Sequence, residues 1–201
     1  MTREQLINAV KVRMDNITDD GSIEIVGNAN VDYMLDGQLK SAFMFLPAYM
    51  LPQTSFLGAI GVGIVAGVSR VTLPDDFLRL VVYRTSEMKR PLTEAQLVRE
   101  GSPEHSLMFG KYTGGGKARP VGCITYDNSL ASLVLEYSAS SSNAGTAVDA
   151  QYIAIPEPSD VTDELLDPVA WYIASAVLGS MGKETLSQYA MNKVNEYLKL
   201  K

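Results

Sequence analysis

The feature that most limits how this chain folds is a hydrophobic period that changes twice. Near both ends, apolar residues recur every three or four positions, whereas from residue 70 to residue 154 they fall in short runs rich in β-branched and aromatic side chains. A period near 3.6 buries one stripe of a helix and a period of 2 buries one face of a strand. The pattern therefore predicts helices at the two ends and β-structure between them.

Thr2 and Gln5 have the spacing of a capping box, and Leu6, Ile7, Val10, Met14 and Ile17 follow on one face, which predicts a helix over Arg3–Ile17. Asp19, Asp20, Gly21 and Ser22 break it. A short extended run at 23–26 precedes Asn28 and Asn30, both suited to an N-cap. The second helix turns Val31, Met34, Leu35, Leu39, Ala42, Phe43 and Leu46 inward and ends or kinks at Pro47. The apolar stretch 56–68 is punctuated by Gly58, Gly61, Gly63 and Gly67 and is far short of the roughly 20 residues of a membrane span, so buried strands or a packed loop are expected.

Five strands are read at 71–73, 78–84, 121–126, 133–137 and 150–154, with a short helical excursion at 93–99 and loop tips at 114–116 and 138–145. After Pro156 and Pro158 the helical period returns. Asp167 is the expected N-cap with Pro168 in the first helical position, and Val169, Tyr172, Ile173, Ala176 and Val177 form the apolar stripe. Gly179 and Gly182 close that helix, and a last one carrying Leu186, Tyr189, Ala190, Val194, Tyr197 and Leu198 pairs with it as a hairpin. The expected class is α+β in one domain, 1–201: a helical core of about 1–50 and 160–201, packed as a small bundle, with an antiparallel β module of about 55–156 inserted into it.

Composition narrows the function. A net charge of −6 and a pI near 4.8 leave no global basic footprint for gripping nucleic acid, although an acidic wall suits a channel through which DNA slides without sticking. One cysteine, Cys123, and one histidine, His105, supply neither an internal disulfide nor a Cys/His metal site. The first residues lack the apolar core of a secretory signal, and a reducing cytoplasm is the expected setting.

The most tempting chemistry is the run Gly110 to Arg119, which resembles a phosphate cradle. A P-loop needs Gly-Lys followed by Ser or Thr after four intervening residues, but here five intervene and Ala118 replaces the hydroxyl. A loop tip is the better reading, with Lys111, Lys117 and Arg119 available to DNA or to an acidic neighbour. His105, between Glu104 and Ser106, lacks an orienting partner and reads as a surface-loop histidine. Of Asp75 and Asp76, one is expected to cap a turn and the other to be solvated. Catalytic residues, metal ligands and cofactors are accordingly expected to be absent, and a nucleotide-binding enzyme using Lys117 is the weakest alternative.

The phrase Val71-Thr72-Leu73-Pro74-Asp75-Asp76-Phe77-Leu78-Arg79-Leu80 resembles the Leu-Pro-Asp-Asp-Phe-hydrophobic-Arg signature of tailed-bacteriophage head-tail adaptor proteins, with Leu73, Pro74, Asp75, Asp76, Phe77 and Arg79 in the matching positions. Lys89-Arg90-Pro91-Leu92, Ile153-Ala154-Ile155-Pro156-Glu157-Pro158 and the small-residue break Gly179-Ser180-Met181-Gly182 resemble later phrases of that family. The resemblance implies a structural protein of the virion neck, assembled in the host cytoplasm: a homo-oligomeric connector ring, twelve-fold as a dodecamer, that binds the portal protein and a downstream tail or nozzle protein. Double-stranded DNA passes through such a ring without sequence preference during genome ejection, and no membrane is involved. Another neck ring or a tail-completion protein is the alternative within the virion. On this reading Tyr189, Lys193, Tyr197, Leu198 and Leu200 of the last helix face the portal, flanked by Lys199 and Lys201. Independently of the family, Pro74 fixes a turn and Phe77 and Leu78 plug the space between helices and sheet.

Overall fold

The first helix begins at the residues that cap it. In a computed structural model describing residues 1–17, 28–57, 61–65, 68–110, 115–138 and 145–199, the Gln5 amide donates to Thr2 Oγ1 at 3.2 Å and Gln5 Oε1 accepts from the Thr2 amide at 2.8 Å. This reciprocal pair satisfies donors that a helix start otherwise leaves open. Helix α1 then runs over Arg3–Ile17, burying Leu6, Val10 and Met14. Helix α2 covers Asn28–Phe45 and stops just before Pro47. The extended run expected at 23–26 lies outside the described residues.

The fold is mixed α and β, and the chain divides into two compact units, one of Met1–Pro52 with Ile155–Lys201 and one of Gln53–Ala154. In the first, α4 (Asp163–Ser180) packs against α1, α2 and α5 (Glu184–Lys199). Ile173, Ala174, Val177 and Leu178 are wholly buried, as are Leu6, Val10, Leu35 and Leu39 opposite them. Burying such side chains contributes about 1.5–3 kcal/mol each.

The start of α4 differs from the sequence expectation. Thr162, not Asp167, holds the N-cap position, and Asp163 and Glu164 fill the first turn, where the helix dipole favours negative charge. Pro168 lies inside the helix, its ring buried. The Asp167 carboxylate is committed elsewhere, to the Arg13 guanidinium of α1. At the other end Gly182 takes φ +74, the Gly182 amide donates to the Gly179 carbonyl and the Lys183 amide to that of Leu178, which closes α4 as the two glycines predict. Helices α4 and α5 approach closely where their contacts are small: Ser175 Oγ donates to the Ser187 carbonyl and Ser187 Oγ to the Ser175 carbonyl, both at 2.9 Å.

The second unit holds a four-stranded and a five-stranded sheet. The first, in the order β1 (Thr54–Ser55), β9 (Ala147–Ala154), β4 (Phe77–Thr85) and β5 (Leu92–Thr93), is antiparallel throughout. The second runs β2 (Gly61–Val65), β3 (Val68–Thr72), β8 (Ser132–Tyr137), β7 (Gly122–Asp127) and β6 (Leu97–Val98). All five strands read from sequence are present, and the glycine-rich stretch contributes β2 and the start of β3. The module is not purely antiparallel, however, because β6 pairs parallel with β7. Likewise the helical excursion expected at 93–99 shrinks to one 3-10 turn, Glu94–Gln96, between the two-residue strands β5 and β6.

Side chains from both sheets share one core, rich in aromatic rings. Phe77 stacks on Tyr152 at 5.8 Å, Phe56 stacks on Tyr83 at 5.8 Å, and Tyr83 meets Tyr137 at 5.0 Å. The buried Tyr83 and Tyr137 hydroxyls satisfy each other at 3.3 Å. Among the described residues, no helix is long and apolar enough to cross a membrane.

Candidate functional site

The Leu73 to Arg79 phrase builds a tight junction between sheets. Leu73, the residue after β3, donates its amide to the Leu133 carbonyl, and the Phe77 amide returns to the Pro74 carbonyl at 3.0 Å, closing the turn that proline pre-sets. Asp76 accepts from the Tyr152 hydroxyl at 2.8 Å, while Asp75 is exposed. Burial, then the Asp76 bond, pushes the Tyr152 phenol up to about 12. Arg79, 10% exposed, reaches Glu94 Oε2 at 3.3 Å. These residues hold backbone and core together, so their chemistry is that of shape.

On α5, the residues read as a partner surface separate into two groups. Tyr189 is 48% exposed, with the Lys193 ammonium 5.5 Å over its ring and bonded to Glu196 at 2.9 Å. Tyr197 and Leu198 are half-buried, and burial together with a hydrogen bond to Asp167 raises the Tyr197 phenol. Tyr197 thus belongs to an Arg13–Asp167–Tyr197 chain of contacts that ties α1, α4 and α5, and is no part of an open end. Leu200 lies outside the described residues, as does Lys111.

The described part of the glycine-rich loop is a turn. Gly116 and Arg119 exchange backbone hydrogen bonds of 3.1 and 3.0 Å, and the Lys89 amide bonds to the Lys117 carbonyl. Gly115, at φ +76, leaves no room for a side chain, since a Cβ would sit 2.8 Å from the Arg119 carbonyl oxygen. Lys117 pairs with Glu87, whereas Lys89, Arg90 and Arg119 are exposed and have no carboxylate partner among the described residues.

His105 is placed differently from expectation. It lies on a six-residue helix, α3 (Pro103–Met108), capped by Ser102, and its side chain is 16% exposed. The reason is a charge the sequence reading did not single out. Glu136, 2% exposed on the central strand β8, bonds through Oε1 to Arg70, its cross-strand neighbour on β3, and through Oε2 to His105 Nε2 at 3.2 Å. An isolated buried carboxylate is very costly, so its two partners are drawn in from β3 and α3. The Gly101 amide donates to His105 Nδ1 at 3.3 Å, which leaves the hydrogen on Nε2 facing Glu136.

This triad floors an open cleft of about 440 Å³. Glu100 and Asp127 add carboxylates, and Phe109 and Tyr126 wall it with rings that are 44% and 55% exposed. Asp127 accepts from Ser129 Oγ at 2.5 Å and the Ser129 amide at 2.8 Å, bonds that hold its carboxyl below the usual range, and it meets Arg70 at 3.2 Å. Both ring nitrogens of His105 are engaged, Nδ1 by the Gly101 amide and Nε2 by Glu136, and among the described residues no hydroxyl or thiol bonds to them. Burial, then Glu136 and Glu100, pushes the Cys123 thiol up to about 11, away from reactivity. Among the described residues, no three His, Cys, Asp or Glu side chains group to hold a metal. The lining of the cleft joins three carboxylates, one guanidinium and one imidazole with two exposed rings.

The sequence matches no protein-family profile and no curated protein.

Proposed function

We propose that this protein is a non-enzymatic virion subunit, the head-tail adaptor of a tailed bacteriophage, whose ring docks on the portal and forms part of the DNA channel. The observation that carries the reading is the order of elements around the Leu73 to Leu80 phrase. Helices from both ends of the chain meet on α4, and the residues between them form a β-rich unit whose two sheets are joined at that phrase. In this reading the chain works as one domain, a small helical bundle with the β unit inserted as a module toward the next tail component.

Two further features support it. Asp32 and Asp36 bracket Tyr33 on α2, and that ring is 90% exposed, a surface that suits a partner protein. The acidic balance suits passage of DNA without adhesion.

The test is binding of purified protein to portal, followed by light scattering and negative-stain microscopy. Rings on the portal are expected, and Tyr189→Ala with Lys193→Glu is expected to weaken attachment at least tenfold while leaving the fold intact. A protein that never associates with portal refutes the adaptor reading. Recovery of the chain from tails but not from tail-less particles assigns it to tail completion instead.

A further inference from the structure

We infer that neighbouring copies of this chain meet head-to-tail through the β unit, the basic turn 115–119 of one copy placing Arg119 in the acidic cleft of the next. This deepens the ring reading above and rests on it.

The cleft carries three carboxylates, Glu100, Asp127 and Glu136, against one guanidinium and one imidazole, so acidic groups are in excess. Glu136 is already committed to Arg70 and His105. Glu100 is exposed, with no hydrogen bond or ion pair among the described residues, and Asp127 lines the same cleft. The open rings of Phe109 and Tyr126 beside these carboxylates match a guanidinium, which stacks on aromatic faces while its edge donates to carboxylate.

The same unit carries the complementary surface. Lys89 is tied to the turn by its amide bond to the Lys117 carbonyl, Arg90 follows it, and both, like Arg119 in the turn, are exposed with no carboxylate partner among the described residues. Turn and cleft are separate surfaces: Arg119 is not among the residues that line the cleft, whose floor at Glu136 lies opposite Cys123 and whose outer carboxylate, Asp127, ends β7. The turn leads into Gly122, and the cleft opens around Asp127. From Gly122 to Asp127, the carboxylate at the far end of β7, the strand spans on the order of 17 Å, at about 3.3 Å per residue. In one copy Arg119 makes no ion pair with these carboxylates among the described residues, which leaves both charged surfaces open to a neighbour. Such a contact is heterologous, the kind that closes into a ring. One turn in one cleft buries much less than the roughly 1,200–2,000 Å² of a stable interface, so the contact sets the register of neighbours and weakens as salt screens it.

The test uses full-length Ala118→Cys and Asn128→Cys variants, both at exposed positions, mixed and oxidised at low salt with and without portal. A crosslinked heterodimer is expected from the mixture and not from either variant alone. Arg119→Glu in the first chain is expected to slow crosslinking at least tenfold, and Glu100→Lys in the second to restore it toward the starting rate. Absence of the heterodimer, indifference to Arg119→Glu, or an equal yield from Ala118→Cys alone overturns the contact. Microscopy of the unmodified chain on portal reads the ring separately: rings without this crosslink leave the adaptor reading standing and remove only the proposed contact.

Discussion

Replacing Arg70 by methionine isolates the interaction on which the centre of the β unit depends. Glu136 has a side chain only 3% exposed, and Arg70 is 25% exposed. Removing one partner of a buried pair costs about 3–5 kcal/mol, because the remaining charge is left uncompensated. Water reaches Arg70 from the cleft and His105 still holds the second oxygen, which puts Arg70→Met at the lower end, about 3 kcal/mol. Glu136→Gln keeps the shape and removes the charge, for about 2 kcal/mol of charge-assisted hydrogen bonding. In the double variant no buried carboxylate remains to be orphaned, so the loss falls back to about that of Glu136→Gln, about 2 kcal/mol, and the coupling between the two sites is about 3 kcal/mol. For a unit of roughly 100 residues, a loss of 3 kcal/mol lowers Tm by about 12–20 °C. Urea unfolding followed by near-ultraviolet circular dichroism of the buried tyrosines reports the β unit, while fluorescence of Trp171, on α4, reports the helical unit. Losses that add, or an Arg70→Met loss below about 1 kcal/mol, refute the claim that Glu136 is a charge held in place by Arg70.

Three other outcomes follow from the same geometry. Asp127 has its carboxyl lowered in the folded state by Ser129, so its contribution is present above the ordinary carboxylate pKa and disappears as pH falls through the lowered one; Asp127→Asn is expected to be less stable than the parent at pH 7, with the gap closing as acid titrates the carboxylate, and a gap that persists undiminished in acid counts against this. Cys123, fully buried and raised to about 11, is expected to resist a thiol reagent at pH 8 in the native protein and to react at once in urea; rapid native reaction shows the pocket to be open. Gly122 on β7 has no room for a methyl, since a Cβ would lie 2.7 Å from Leu92 Cδ2 and 3.2 Å from the Glu136 carbonyl oxygen, so Gly122→Ala is expected to cost about 1–3 kcal/mol by overpacking, and an unchanged urea midpoint contradicts it.

What was legible in the sequence was whatever neighbouring residues decide. The Thr2 and Gln5 cap, the α1 and α2 stripes and the Gly182 stop are set within a few positions, and each stands where the pattern puts it. The start of α4 misled because Asp-Pro is locally a good helix start, yet Asp167 answers to Arg13, 154 residues away. The cleft was out of reach for the same reason. In Val134-Leu135-Glu136-Tyr137 alternation suggests one dry face and one wet face, but all four residues are buried because β8 is a central strand covered on both sides. Leu135 and Tyr137 enter the core shared by the two sheets, while Glu136 points the other way, toward α3. A glutamate in that position implies partners, but not which ones: Arg70 is 66 residues away and His105 is 31. Only the register that sets Arg70 opposite Glu136, and Cys123 opposite it on the other side, turns a lone histidine and an ordinary arginine into the floor of a charged cleft. Arg119 is not among the residues that line that cleft and pairs with no carboxylate among the described residues, so a feature that sequence offered as a basic loop awaiting an acidic neighbour acquires a candidate neighbour in a second copy of the chain.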